Sequence, residues 1–187
     1  MSTTVMQSER RMWDVGSRTI VYAAIGAALY AVASQFQFTM PGTANVSVRP
    51  GFALVPFFGF AFGPIVGLFV GLVGNAIGDQ ISGWGLLTSW NWSIAVGVVG
   101  MLAGVFGMMF ARSVSNRYVL AAVASVAAIV IGFLIVFTDL ILGTAETFSA
   151  ALTDNYLPAV ITDGIASAIL VPLLVAAWEP IQDAIGR

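Results

Sequence analysis

The chain has 187 residues, 59% of them hydrophobic, and its charges are 7 arginines and 9 acidic residues, with no lysine, histidine or cysteine. That composition excludes imidazole and thiolate catalysis, a thiolate or imidazole metal site, a disulfide framework and a lysine-dependent phosphate loop. At 9% charged, against roughly a quarter in soluble domains, residues 1–187 are expected to form a single transmembrane domain with lipid as the solvent.

Residues 1–18 carry Arg10, Arg11 and Arg18 and are predicted to be a cytoplasmic N-terminal segment. Beyond them, apolar runs between polar breaks predict an all-α integral membrane protein, because about 20 mainly apolar residues cross the hydrocarbon core as a helix. Six transmembrane helices are expected, at about 19–38, 52–62, 64–81, 93–111, 119–139 and 156–178, with five as the alternative. The first run ends in Ala31-Val32-Ala33-Ser34 behind three arginines, a pattern shared with secretory signals. Its retention is expected; cleavage would leave five helices in the same orientation, and the intact mass separates the two cases. The second run is short, contains Pro56 and stops at Gly63-Pro64.

Glycines recur every fourth residue on the third span (Gly63, Gly67, Gly71) and at similar spacing on the fourth (Gly97, Gly100, Gly104). In lipid, small residues let helix backbones touch, so these two spans are predicted to pack tightly. On the first span Ala23, Ala27 and Ala31 form a smooth stripe that suits either packing inside the bundle or docking on another membrane protein. The fifth span is uncharged from Val119 to Thr138. With both termini cytoplasmic, Arg10, Arg11, Arg18, Arg112, Arg117 and Arg187 fall inside and only Arg49 outside, as the positive-inside rule requires.

Ionisable residues at membrane depth are costly and therefore informative. Asn75 and Asp79 are four apart, on one helical face; Asp139 closes the fifth span, Asp163 lies two turns inside the sixth, and Arg49 begins the second. All converge on the outer half, while the inner half is almost free of polar groups, which predicts an outward-facing pocket and not a continuous pore. Trp84, Trp90 and Trp92, with Asn91 between the last two, suit either an interfacial belt or a stacking platform for a flat ring. Arg49 suits either a ligand or an ion pair with Asp79 or Asp139. The candidate substrate-binding set is thus Arg49, Asn75, Asp79, Trp84, Trp90, Asn91, Trp92, Asp139, Tyr156 and Asp163, with no catalytic residue and no metal. Asn45-Val46-Ser47 and Asn91-Trp92-Ser93 also fit the glycosylation pattern. Two other classes stay open at this point: an intramembrane enzyme using Asp79 and Asp163, and a structural assembly protein using only its glycine and alanine faces.

The stretch from Arg49-Pro50-Gly51-Phe52 through Phe62-Gly63-Pro64 to Gly74-Asn75-Ala76-Ile77-Gly78-Asp79 resembles the substrate-binding S components of energy-coupling factor (ECF) transporters, small six-helix vitamin-capture proteins of prokaryotes. The resemblance implies a multi-pass protein of the prokaryotic plasma membrane that takes a vitamin-like ligand from outside and topples to release it inward. It implies a transmembrane T component, docked on the Ala23/Ala27/Ala31 stripe, and two cytoplasmic ATPase subunits. ATP would be used by those partners, so no cofactor is expected on this chain, and no nucleic acid. Within that class, three tryptophans and a carboxylate-rich outer side favour a flat, neutral or weakly cationic heterocycle of the riboflavin or thiamine-precursor type.

Overall fold

The computed structural model describes Trp13, residues 15–39 and residues 47–184. Arg10, Arg11 and Arg187, which enter the orientation count, and Asn45 of the first glycosylation-type triplet lie outside the described residues. Six principal helices are present among the described residues: α1 (Ser17–Ala33), α2 (Leu54–Phe62), α3 (Pro64–Ile81), α4 (Trp90–Phe110), α5 (Arg117–Gly132) and α6 (Leu157–Ala184). A 3-10 turn, Pro50–Ala53, leads into α2. Another, Phe133–Thr138, carries α5 on into a one-turn helix, Asp139–Leu142. A π-helical turn, Ala151–Tyr156, precedes α6.

Four helical segments are long and apolar enough to cross a membrane: Pro64–Ile81, Trp90–Phe110, Arg117–Leu142 and Phe148–Ala184. The apolar helices Ser17–Ala33 and Pro50–Phe62 are shorter. Large apolar side chains line the outside in helical register, as in the exposed ridge Ile161, Ile165, Ile169 and Leu173 on α6 and in Val21, Ile25, Leu29 and Val32 on α1. Contiguous apolar ridges of this extent are unfavourable in water and natural in lipid.

Local chemistry sets the helix ends. Gly63 has φ 110°, a conformation open to glycine, and Pro64 follows as the first residue of α3, where its missing N–H costs nothing. Asn116 caps α5 by accepting hydrogen bonds from the N–H groups of Tyr118 and Val119. The α1 helix ends at Ala33, short of the expected 38. There Ser34 Oγ and Gln35 Nε2 both fold back onto the Ala31 carbonyl, at 2.8 and 3.0 Å, and compete with helix continuation. The chain then extends into β1 (Phe38–Thr39), which pairs antiparallel with β2 (Ser47–Val48), Phe38 opposite Val48. At the other extreme α6 continues past Trp178 to Ala184 despite Pro172 and Pro180 within it. Its last turns are tied to the start of α5 through Arg117, whose Nη1 lies 3.4 Å from Glu179.

The predicted glycine contact is the spine of the bundle. A Cβ built on Gly100 would run into the Gly67 carbonyl, and one built on Gly59 or Gly67 would run into the Gly100 carbonyl. The backbones of α2, α3 and α4 therefore touch directly. The alanine stripe of α1 packs inward, with Ala23, Ala27 and Ala31 buried and Ala27 against Gly74 of α3. Of the two readings open for that stripe, the structure shows packing within the chain's own bundle. Ala24 and Ala28 lie on the exposed face instead. At the end of the bundle near Arg112 and Arg117, Phe62 gathers Tyr22, Phe58 and Trp178 with ring centroids 4.6, 5.1 and 4.9 Å away, filling that end with aromatic carbon.

Candidate functional site

The opposite end is polar and hollow. The ends of α1, α3, α4 and α6, together with the segments flanking β2, α5 and the π-helical turn, enclose a cavity of about 250 Å³. Its walls combine aromatic rings (Tyr30, Phe52, Phe133, Trp84, Trp92) with a set of buried polar groups. Two hydrogen-bond networks hold those groups in place.

The first network centres on Asn75. Its Oδ1 accepts from Tyr30 Oη at 3.1 Å and from Arg49 Nη1 at 3.3 Å, while its Nδ2 donates to Asp79 Oδ2 at 2.8 Å and to Ser93 Oγ at 3.1 Å. Arg49 pairs with Asp79 at 3.5 Å and donates through Nε to Gln37 Oε1 at 2.9 Å. Of the two ion-pair partners open to Arg49, the structure selects Asp79. The helical spacing of Asn75 and Asp79 lets one amide brace both the carboxylate and the arginine.

The second network centres on Asp139. It accepts from Asn91 Nδ2 at 2.7 Å, Trp92 Nε1 at 3.2 Å and Asn155 Nδ2 at 3.0 Å, which draws α4, the continuation of α5 and the π-helical turn together. Asn91 also donates to Thr138 Oγ1 at 3.1 Å and is only 2% exposed, so the second glycosylation-type triplet is sealed inside the bundle. Asp163 stands apart from both networks, buried on α6 and facing the cavity.

Eight of the sequence-predicted residues line this cavity: Arg49, Asn75, Asp79, Trp84, Asn91, Trp92, Asp139 and Asp163. Trp90 and Tyr156 do not. Trp90 is 46% exposed, and Tyr156 donates its hydroxyl to the Val130 carbonyl at 2.8 Å with its ring against Phe137. Tyr30, Phe52, Phe133 and Asn155 were not singled out from the sequence. The three aromatics lie in apolar runs that carry no local signal of a site; for Asn155 only the π-helical turn, a feature common at functional sites, draws attention to it. Among the described residues no three acidic side chains converge to hold a metal ion.

Tyr30 allows a direct test of the first network. Tyr30 is fully buried, so Tyr30→Phe keeps the ring and removes one hydrogen bond, while Asn75 Oδ1 keeps Arg49. A loss of about 1 kcal/mol is expected, read as a fall of roughly 2–4 °C in the thermal midpoint in detergent.

Lipid-facing ridges around an end-on cavity with a buried polar lining define a multi-pass membrane protein shaped to hold a small molecule. The sequence family described as ECF-type riboflavin transporter, S component, matches residues 15–179, and the chain belongs to it. A UPF0397 protein of Vibrio atlanticus is 40% identical over 96 residues, 51% of this chain and 52% of that protein. Another, of Aliivibrio salmonicida, is 36% identical over 101 residues, 54% of each chain. The chain spans about half the length of the curated relatives it matches. No solved structure matches. The family anticipated from the Arg49-to-Asp79 stretch is thereby established. It is a family of transporter components and not of enzymes, so the alternative built on Asp79 and Asp163 is set aside.

Proposed function

We propose that this chain is the substrate-capturing subunit of an ECF-type importer. It binds a vitamin or vitamin precursor, a flat heterocycle of the riboflavin or thiamine-precursor class, in the cavity between Trp92, Phe133 and Asp163. The observation that carries this reading is the polarity of the bundle: aromatic side chains and buried polar groups surround a hollow at one end, and packed aromatic carbon fills the other. Such a site admits and holds a ligand from one side only.

In this reading the chain spans a prokaryotic plasma membrane six times, with α1 and α2 crossing despite their shortness and both termini in the cytoplasm. Arg18, Arg112 and Arg117 then mark the inner face and the cavity opens outward. A T component and two ATPase subunits complete the importer. Because Ala23, Ala27 and Ala31 are buried against α3, we assign T-component docking to the exposed face of α1 that carries Ala24 and Ala28.

The test is direct. The purified protein, extracted in mild detergent and then denatured, is expected to release one small aromatic compound identifiable by mass spectrometry. Rebinding that compound is expected to quench tryptophan fluorescence, and Trp92→Ala is expected to weaken it about 10-fold or more, the scale of a lost aromatic stack. Absence of any bound or binding compound across a panel of vitamins and precursors would sink the reading.

A further inference from the structure

The cavity holds three carboxylates and one guanidinium. Two of the carboxylates are already provided for. Asp79 faces Arg49 and the Asn75 amide, and Asp139 receives three donors. Asp163 is not. It is 7% exposed, it lines the cavity, and its Oδ1 has no hydrogen-bond partner among the described residues. Ser167, one turn along the same face of α6, does not supply the missing hydrogen, because its own fully buried hydroxyl is also without a partner. A carboxyl group removed from water needs a donor, and the other two carboxylates of the cavity have found theirs within the protein.

Arg49 is engaged within the protein through two of its three nitrogens. Its Nε is taken by Gln37 and its Nη1 is shared between Asp79 and Asn75. Three carboxylates against one engaged guanidinium make the cavity net acidic, which repels anions and attracts donors and cations.

We propose that Asp163 is the specificity-determining residue of this site and that it reads a two-donor edge on the ligand: an amino group beside a protonated ring nitrogen, as on an aminopyrimidine. This rests on the capture reading above and chooses within it. A carboxylate offers two acceptors and no donor, so it matches an edge with two adjacent N–H groups. A flavin ring offers the reverse at its imide edge, where one N–H sits between two carbonyl oxygens that would face Asp163 with like partial charge. The size of the cavity points the same way. About 250 Å³ is below the usual range of roughly 300–1,000 Å³ for ligand pockets, which suits one six-membered ring better than three fused rings.

The test is calorimetric titration of the full chain in detergent with 4-amino-5-hydroxymethyl-2-methylpyrimidine and, separately, with riboflavin. The pyrimidine is expected to bind more tightly than riboflavin, and Asp163→Asn, of nearly the same shape, is expected to weaken it about 30-fold or more. Asp163→Leu is expected to abolish pyrimidine binding while raising the thermal midpoint of the empty protein, which shows that the variant is folded. Tighter binding of riboflavin, a co-purified ligand without such an edge, or an Asp163→Asn affinity within twofold of the parent would overturn the proposal and leave the capture reading standing. A chain that binds no compound and carries none would overturn both.

Discussion

Gly100→Ala is expected to lower the thermal midpoint of the detergent-solubilised protein by roughly 6–12 °C. In an isolated helix the same change is favourable by nearly 1 kcal/mol, since alanine is the better helix former. Here the new methyl has nowhere to go. It meets the carbonyl oxygen, the carbonyl carbon and the Cα of Gly67, all backbone atoms that no side-chain rotation can clear. The helices α3 and α4 must separate, and the lost contact spreads along the seam to Gly71 and Gly104. Overpacking of this kind costs about 3 kcal/mol at the upper end of the usual range, and each kcal/mol moves the midpoint by roughly 2–4 °C in a chain of this size. Gly164→Ala is the matched control. It lies within α6, and a Cβ there meets nothing within 4 Å, so its midpoint is expected to hold or rise. If Gly100→Ala melted within 2 °C of the parent, the seam would not be the backbone contact described above.

Asp139→Ala is expected to be at least as disruptive, acting on stability and binding together. Asn91 keeps Thr138 as an acceptor, but Trp92 Nε1 and Asn155 Nδ2 lose the only acceptor described for each. Orphaning a buried donor costs about 1–3 kcal/mol, so a total of about 3–5 kcal/mol is expected. The consequence for the ligand is separate. Trp92 is held at the cavity wall by its bond to Asp139, and once released its ring no longer presents a fixed face. An affinity loss of about 10-fold is expected beyond what unfolding explains, measured at a temperature where circular dichroism shows the variant folded. Asp139→Asn keeps the size and one acceptor, and its effect should be intermediate. Equal affinity of the alanine variant and the parent would mean that the Trp92 ring does not touch the ligand.

The parts of the fold that were legible in the sequence are those set by neighbours along the chain. Gly63-Pro64 opens α3 and Ser82-Gly83 follows its end, and Asn75 and Asp79 share a face because a helix brings every fourth residue into line. The glycine spacing foretold a close approach of α3 and α4 for the same reason. What depended on distant partners was not legible. Nothing local tells Arg49 to prefer Asp79 over Asp139, and the apolar count of the first span hid the stop at Ala33, which Ser34 and Gln35 enforce through their side chains. Trp90 and Trp92 are two residues apart at the start of α4, roughly 200° around the helix. Only one of them faces the cavity, and the choice turns on how α4 is rotated against α5, through the bond from Trp92 to Asp139.

Backbone contact along the Gly59, Gly67 and Gly100 seam also governs how the molecule can move. Interfaces made of side chains slide by exchanging rotamers, whereas carbonyls lodged against Cα atoms have no alternative positions to exchange. A shift of α3 along α4 by a single residue, about 1.5 Å, would drive these atoms into one another. The three helices α2, α3 and α4 therefore form a keel that travels as one piece. In the capture reading proposed above, the deformation that lets a ligand in or out falls to the flanks: to α6, whose most apolar stretch is only 33% buried against 50% for those of α3, α4 and α5, and to the π-helical turn that leads into it.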